Sequence, residues 1–423
     1  MTLTKPNAYE TKTIRLMSPI VHIGSEVQRL NPFEYVQTPS KVYIPDSEAL
    51  ARQLYNRGRL KDYISAIENR QGIANLLEDT FGEDWENVTD DTGRPIFPDE
   101  GTRRKWTDDR ITDLRPMIRN GNGQFYIPGS SIKGAIRTAI AYHLLKYSDR
   151  YGVPQANRVS AIEKELRSRL DRGQLEKKFE QKRTASTLFE EALFTEFDLT
   201  YQGRSANVKR YGPNTDFMRA VSVSDTDPLV EKRVKTKKGT APANIPIVSE
   251  VVVSSRFPNR NAKYRASIYV EMVQRIRTEF TLSIDGEMLD WFRHSQGMKI
   301  PFSTIDELLA ICQDFVQEQW DFDHDYWNSI RDNLDAGGER LNFVDVRRFY
   351  NPEKCPFTLR IGWGSGMNGT TIGLRLGEEL RSQLRDAVGI SAPNFEAPKS
   401  RRSIRNRDGE ITLVPGWAKF KVL

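Results

Sequence analysis

Cysteine and histidine are scarce in this 423-residue chain: two of the first, Cys312 and Cys355, and four of the second. Neither cysteine stands in a ligand-type spacing, so neither a zinc framework nor a disulfide scaffold is written here. Isolated thiols suit a reducing compartment. Long apolar runs are missing too. Residues 1–10 have no apolar core and nothing approaches the length of a membrane span, so a soluble, cytoplasmic protein is expected. A strong charge excess is also lacking: 63 Lys+Arg against 57 Asp+Glu give a net charge of +6. Any acidic partner must therefore be argued from local clusters. His324 lies among Asp321, Asp323 and Asp325, but crowded acids are not ligand geometry, and no metal or cofactor is expected.

The chain's most informative stretch is residues 125–140, which read as a short strand, a Pro-Gly turn and a helix continuing to about Tyr147. Ser130 or Ser131 is placed to cap that helix, and the free N–H groups of its first turn favour an anion. Lys133 and Arg137 stand one turn apart and share a face. Gly134, Ala135 and Ala139 are small enough to admit another backbone. A phosphate clamp and a plain capped helix both fit these residues. A nucleotide P-loop does not: Gly129 and Gly134 have its spacing, but Ala135 and Ile136 occupy the positions that need lysine and a hydroxyl.

Other segments fall around this one, in a chain long enough for two or three domains. Residues 11–16 alternate apolar and polar side chains as a half-buried strand does, and a turn follows with His22 and Gly24. His22 invites a catalytic reading, but acid–base cleavage needs a second positioned group and none is near, so it is read as packing or as hydrogen-bonding RNA. Asp46 should cap a helix carrying Ala49, Leu50, Gln53 and Leu54. Residues 83–123 look like a polar insertion loop in which Arg103, Arg104 and Trp106 either touch RNA or face solvent. Residues 159–194 read as amphipathic helices, with Ile162, Leu166 and Leu170 at four-residue spacing. Lys232, Arg233, Lys235, Lys237 and Lys238 crowd into seven positions, as a phosphate-neutralising arm or a solvated linker. Thr304 and Glu307 have capping-box spacing before a helix with Cys312 on its apolar face. Near the C-terminus, Gly362, Trp363, Gly364, Ser365 and Gly366 form a glycine-rich loop suited to an anion-binding nest. Met367 stands where a dinucleotide fingerprint needs its third glycine. Lys399, Arg401 and Arg402 precede a closing hairpin.

Ile-Pro-Gly-Ser-Ser-Ile-Lys-Gly-Ala-Ile-Arg-Thr-Ala at 127–139 resembles the motif of the RAMP superfamily of CRISPR proteins, nearest to the members that form the fifth subunit of type III-A Csm effectors. Four further stretches carry the resemblance: Pro19 to Gly24; Arg219 with Val223, Ser224, Asp225 and Thr226; the glycine loop at 362–366; and Pro398-Lys399-Ser400-Arg401 with Gly416-Trp417. The resemblance implies an α+β fold of two RRM-like (ferredoxin-like) domains. Residues 1–228 would form the first, with helical insertions at roughly 46–120 and 155–195. Residues 229–244 would be a basic linker or loop, and 245–423 the second domain. The implied function is that of a non-catalytic subunit that binds crRNA, caps the backbone filament at the crRNA 3′ end and supports 3′-end maturation. Its partners would be the crRNA, neighbouring RAMP backbone subunits and a recruited maturation nuclease. The aromatic RNP signature of RRM domains is absent, so RNA contact would run through glycine loops, helix N-termini and Lys/Arg. Two alternatives remain open: a RAMP endoribonuclease cutting CRISPR or target RNA, and a protein–protein scaffold subunit of a Cmr-like type III complex.

Overall fold

The alternation near the N-terminus folds as a 13-residue strand, Tyr9–Val21, with Ile14, Leu16 and Ile20 buried on one face. Period-two side-chain direction puts those residues together, and each such burial contributes roughly 1.5–3 kcal/mol. The structure is a computed structural model that describes residues 9–24, 28–201, 204–205, 212–236, 239–334, 340–389, 391–393 and 395–423. In it, this opening strand sits inside a 12-stranded sheet. Along the main path the order is Leu359–Arg360, Trp417–Val422, Tyr9–Val21, Ala262–Asp285, Ile245–Arg256, Thr102–Trp106, Lys41–Tyr43 and Val36–Gln37.

The 24-residue strand Ala262–Asp285 organises the sheet. Its C-terminal part pairs antiparallel with the opening strand, from Tyr9 opposite Asp285 to Val21 opposite Val273. Its N-terminal part pairs antiparallel with Ile245–Arg256. The two partnerships meet at Val273 and Gln274, next to Arg275, whose φ of 53° is left-handed. A non-glycine residue adopts that conformation only where its surroundings enforce it. The α+β class follows directly, and strands from both sides of residues 229–244 share one sheet.

Two expectations are corrected. Residues 83–123 are not simply a polar loop, because Thr102–Trp106 and Leu114–Arg115 both pair parallel into the main sheet. Polar composition concealed them: Arg103 is buried against the carboxylate of Glu271 at 3.1 Å, so its charge is neutralised inside the protein rather than by RNA or solvent. Trp106 is half-buried against the core, and Arg104 pairs with Glu231 at 2.9 Å. Within residues 229–244, the expected basic linker or loop, Lys232–Thr236 and Gly239–Ala243 form an antiparallel hairpin. Finally, Ser130 and Ser131 do not cap the central helix, as described below.

Helices cover the sheet. The central helix Gly129–Lys146 packs on the long helix Ile305–Ser329, and both enter the largest apolar core, together with Ile14, Leu16, Leu282 and Phe420. The capping signals hold: Asp46 accepts the N–H groups of Glu48 and Ala49, and Thr304 and Glu307 form a reciprocal capping box. Cys312 is fully buried and burial pushes its thiol up to about 12, the state of an unreactive core residue. The first insertion, with helices Ser47–Asn56, Leu60–Glu68 and Ala74–Phe81, has a core of its own around Leu50, Leu54, Leu77 and Trp85. The second contains Val159–Asp171, Lys178–Ala185 and the wider-wound Ser186–Thr195. Among the described residues no helix is long and apolar enough to cross a membrane.

Candidate nucleic-acid interface

The central motif is built around a close approach. Residues 125–127 run beside 226–229: Leu229 N–H donates to the Phe125 carbonyl at 2.7 Å, and Ile127 N–H to Thr226 Oγ1 at 3.0 Å. The helix then starts at Gly129, where a Cβ would lie 2.2 Å from the Val223 carbonyl oxygen. Only glycine lets that backbone cross here, whereas Gly134 has open space around it. Asp225 takes the capping role: its Oδ1 accepts the Gly129 N–H at 2.8 Å. The positive end of the helix thus already holds a carboxylate of the chain itself. Lys133 Nζ donates to the Val221 carbonyl at 2.7 Å, and burial lowers its pKa. Arg137 pairs with Asp216 at 2.7 Å and with Glu190, and lies 3.8 Å over the Phe194 ring. Both cations of the expected clamp are committed to internal acceptors. Ser130 is exposed and Ser131 half-exposed beside them.

The glycine-rich loop likewise folds onto its own chain. Trp363 N–H donates to the His22 carbonyl at 3.0 Å, and a Cβ on Gly362 would stand 2.4 Å from that same oxygen. Gly362, Gly364 and Gly366 all have positive φ. Ser365 Oγ donates to the Gly362 carbonyl at 2.7 Å. Trp363 is buried, with the guanidinium of Arg402 at 4.3 Å and that of Arg115 at 5.3 Å from its ring. It packs; it does not present a face to a base. His22 is fully buried, its Nδ1 2.7 Å from the Glu271 carbonyl, and desolvation pushes its pKa down to about 4. A neutral, enclosed imidazole offers RNA neither a contact nor a proton donor, which corrects its assignment as an RNA ligand. Gly24 alone of that pair is exposed. Glu271, fully buried, takes Arg103 at 3.1 Å, Arg119 at 2.7 Å and the Met117 N–H at 2.9 Å. Arg401 is corrected for the same reason. It is buried 3.3 Å from Asp323, which also binds Arg360 at 2.8 Å and accepts from the Tyr350 hydroxyl at 3.1 Å. Lys399 is half-buried two residues before the strand Arg401–Arg405.

One exposed basic surface lies on the hairpin. Lys232, Arg233 and Lys235 are all exposed on Lys232–Thr236; Lys237 and Lys238 lie outside the described residues. The hairpin is anchored by Asn244, whose Nδ2 donates to the Val230 carbonyl at 3.2 Å, and by Arg277, which donates to the Lys235 carbonyl at 3.3 Å. Between hairpin and sheet runs a cleft of about 330 Å³ bordered by Val234, Pro242, Arg275, Arg277, Phe357 and Lys419. Arg275 and Lys419 are exposed there. Sequence reasoning missed both, although Arg275-Ile276-Arg277 carries period-two basic alternation that marks one charged strand face.

The family model of the RAMP superfamily matches residues 13–366. The chain belongs to the RAMP superfamily. A protein described as CRISPR system Cms protein Csm5, from Enterococcus italicus, is 28% identical over 174 residues, an alignment covering 35% of this chain and 49% of that protein. The chain thus spans about half the length of the curated relative it matches. Two solved structures resemble the fold along nearly its whole length. One is a chain of a type III-A Csm–crRNA–target RNA ternary complex, with a TM-score of 0.59, 23% identity and coverage of 97% of this chain and 100% of that one. The other is Csm5 of T. onnurineus, with a TM-score of 0.57, 21% identity and the same coverages.

In this RAMP chain the motif residues Gly129, Lys133, Arg137 and Gly362 hold the fold together through contacts within the chain. The two signature loops meet at the His22 carbonyl, which Trp363 N–H and Gly362 both approach, and the His22 and Trp363 rings lie edge to face with centroids 5.6 Å apart. Among the described residues no group of three or more His, Cys, Asp and Glu side chains is arranged to hold a metal. Asp323 is buried while Asp321 and Asp325 are exposed and His324 is half-buried, so that acidic crowd is split between two environments.

Proposed function

We propose that this RAMP chain is a Csm5-like subunit of a type III-A CRISPR ribonucleoprotein. In this reading it binds crRNA without cutting it, caps the backbone filament at the crRNA 3′ end and supports 3′-end maturation by engaging a nuclease. The family match over 13–366, joined by likeness to Csm5 in sequence and fold, carries the reading. Neighbouring RAMP subunits are its protein partners, and the cytoplasm is its compartment. The RNA contact is assigned first to Lys232, Arg233 and Lys235 with the cleft residues Arg275 and Lys419. Gly24, Ser130, Ser131, Gly366, Lys399 and Arg402 are assigned as secondary RNA contacts. Lys237 and Lys238 extend the basic run in sequence. Burial of His22 removes the one histidine that a nuclease reading had named. In fold terms, 1–228 and 245–423 are two RRM-like units fused through Ala262–Asp285, whose two halves pair with one strand from each.

The test is reconstitution of the Csm complex with and without this chain, followed by sequencing of the bound crRNA 3′ ends. The reading expects complexes lacking the chain to carry crRNA with untrimmed 3′ ends. Identical 3′ ends in both preparations would remove the maturation role.

A further inference from the structure

The second helical insertion contains an eight-residue helix, Lys178–Ala185, with the sequence Lys-Phe-Glu-Gln-Lys-Arg-Thr-Ala. Its inner face is anchored. Thr184 is buried and accepts from Arg169 Nη1 at 2.6 Å, and Gln181 Nε2 donates to the Leu175 carbonyl at 2.8 Å. The outer face holds two rows one turn apart, Lys178 with Lys182 and Phe179 with Arg183. All four side chains are exposed, as is the preceding Lys177. Phe179 is 73% exposed, more than any other large apolar side chain among the described residues. The nearest acid on the helix, Glu180, is half-buried and reaches Arg183 only at 3.9 Å.

A bare phenyl ring flanked by cations has no role in the packing of this fold. It does match one chemistry: unpaired bases have π-faces to stack on the ring, and their phosphates meet the surrounding ammonium and guanidinium groups. A duplex engages the cations but keeps its bases stacked inside, leaving the ring unused. The helix runs on into Ser186–Thr195, where Glu190 pairs with Arg137 of the central helix, so the element that carries the patch is tied to the central motif by an ion pair.

We infer that the outer face of Lys178–Ala185 binds single-stranded RNA, with Phe179 stacking a base and Lys178, Lys182 and Arg183 neutralising the adjoining phosphates. The inference rests on the RNA-binding reading above and adds a contact outside its loops and hairpin.

Fluorescence anisotropy with the full chain and a labelled mixed-sequence single-stranded RNA, repeated with the same RNA as a duplex, tests it. Phe179→Ala should weaken single-strand binding about ten-fold and duplex binding little, while Phe179→Trp keeps the affinity. Lys178→Glu/Lys182→Glu should lower the log–log salt slope by about 1.4, two phosphates at ~0.7 each. Thermal midpoints should not move, because the substituted side chains are exposed. Wild-type affinity and slope in these variants, with binding lost only on substitution of the hairpin lysines, would overturn the patch and leave the RNA-binding reading standing. Loss of a protein subunit from pull-downs with RNA affinity intact would reassign the patch to an acidic protein surface and overturn the inference. No RNA binding by the wild-type chain would overturn it too, while the crRNA reading is measured separately in the assembled complex.

Discussion

Glu271 shows how far single residues in this chain are committed to structure. Its carboxylate holds Arg103, Arg119 and a backbone N–H in a fully buried site, and its carbonyl holds His22. Removing one partner of a buried pair leaves the other charge unsolvated, at about 3–5 kcal/mol. Glu271→Gln should therefore lower the urea-unfolding free energy by about 3 kcal/mol; a loss under ~0.5 kcal/mol would refute the network. His22 gives a pH prediction. Its folded pKa, about 4, lies below the ordinary 6.5, so the unfolded chain binds the extra proton between those values. This contribution is full above pH 6.5 and is lost as pH falls to 4, amounting to roughly 3 kcal/mol. Equilibrium unfolding across that window should show a flatter pH dependence in His22→Gln than in wild type. None of this was legible in sequence, because burial of Arg103 or His22 depends on partners some 170 to 250 positions away.

At the scale of elements, local signals were reliable and long-range ones were not. The caps at Asp46 and Thr304 and the helix Gly129–Lys146 could be read directly, since a cap and its N–H groups lie within three residues of each other. The Ser130/Ser131 cap failed because Asp225, 96 positions from Gly129, supplies the acceptor instead. The strand Thr102–Trp106 was hidden because its inward residues are Arg103 and Lys105, not apolar side chains. The basic run could be located but not its hairpin form. These placements separate two variants. Lys133→Ala/Arg137→Ala should lower the thermal midpoint by several degrees with little change in RNA affinity, since both side chains hold the fold together. Lys232→Glu/Arg233→Glu/Lys235→Glu should leave the midpoint unchanged and reduce the salt slope of RNA binding by about 2. The opposite pattern, from calorimetry and anisotropy on both variants, would restore the helix as the RNA clamp.

For the whole molecule, the shared sheet sets the expectation for unfolding. The opening strand pairs with Ala262–Asp285 and with Trp417–Val422, so the N-terminal part of the chain cannot open without stripping strands of the C-terminal part. A single calorimetric transition with matching calorimetric and van't Hoff enthalpies is expected; two resolved transitions would mean independent units. The family was legible because its motifs are the glycine positions where backbones touch, at Gly129 and Gly362, and no other residue fits there. RNA contacts were less legible because a solvated lysine and a phosphate-binding lysine look alike in sequence. The central claim is that this RAMP chain holds crRNA near its 3′ end. Ultraviolet crosslinking of the assembled complex, with the crosslinked nucleotides mapped, tests it most directly. The account predicts crosslinks from the hairpin cleft to nucleotides near the crRNA 3′ end, lost in Lys232→Glu/Arg233→Glu/Lys235→Glu. Crosslinks confined to the 5′ end, or a chain that assembles without touching RNA, would contradict it.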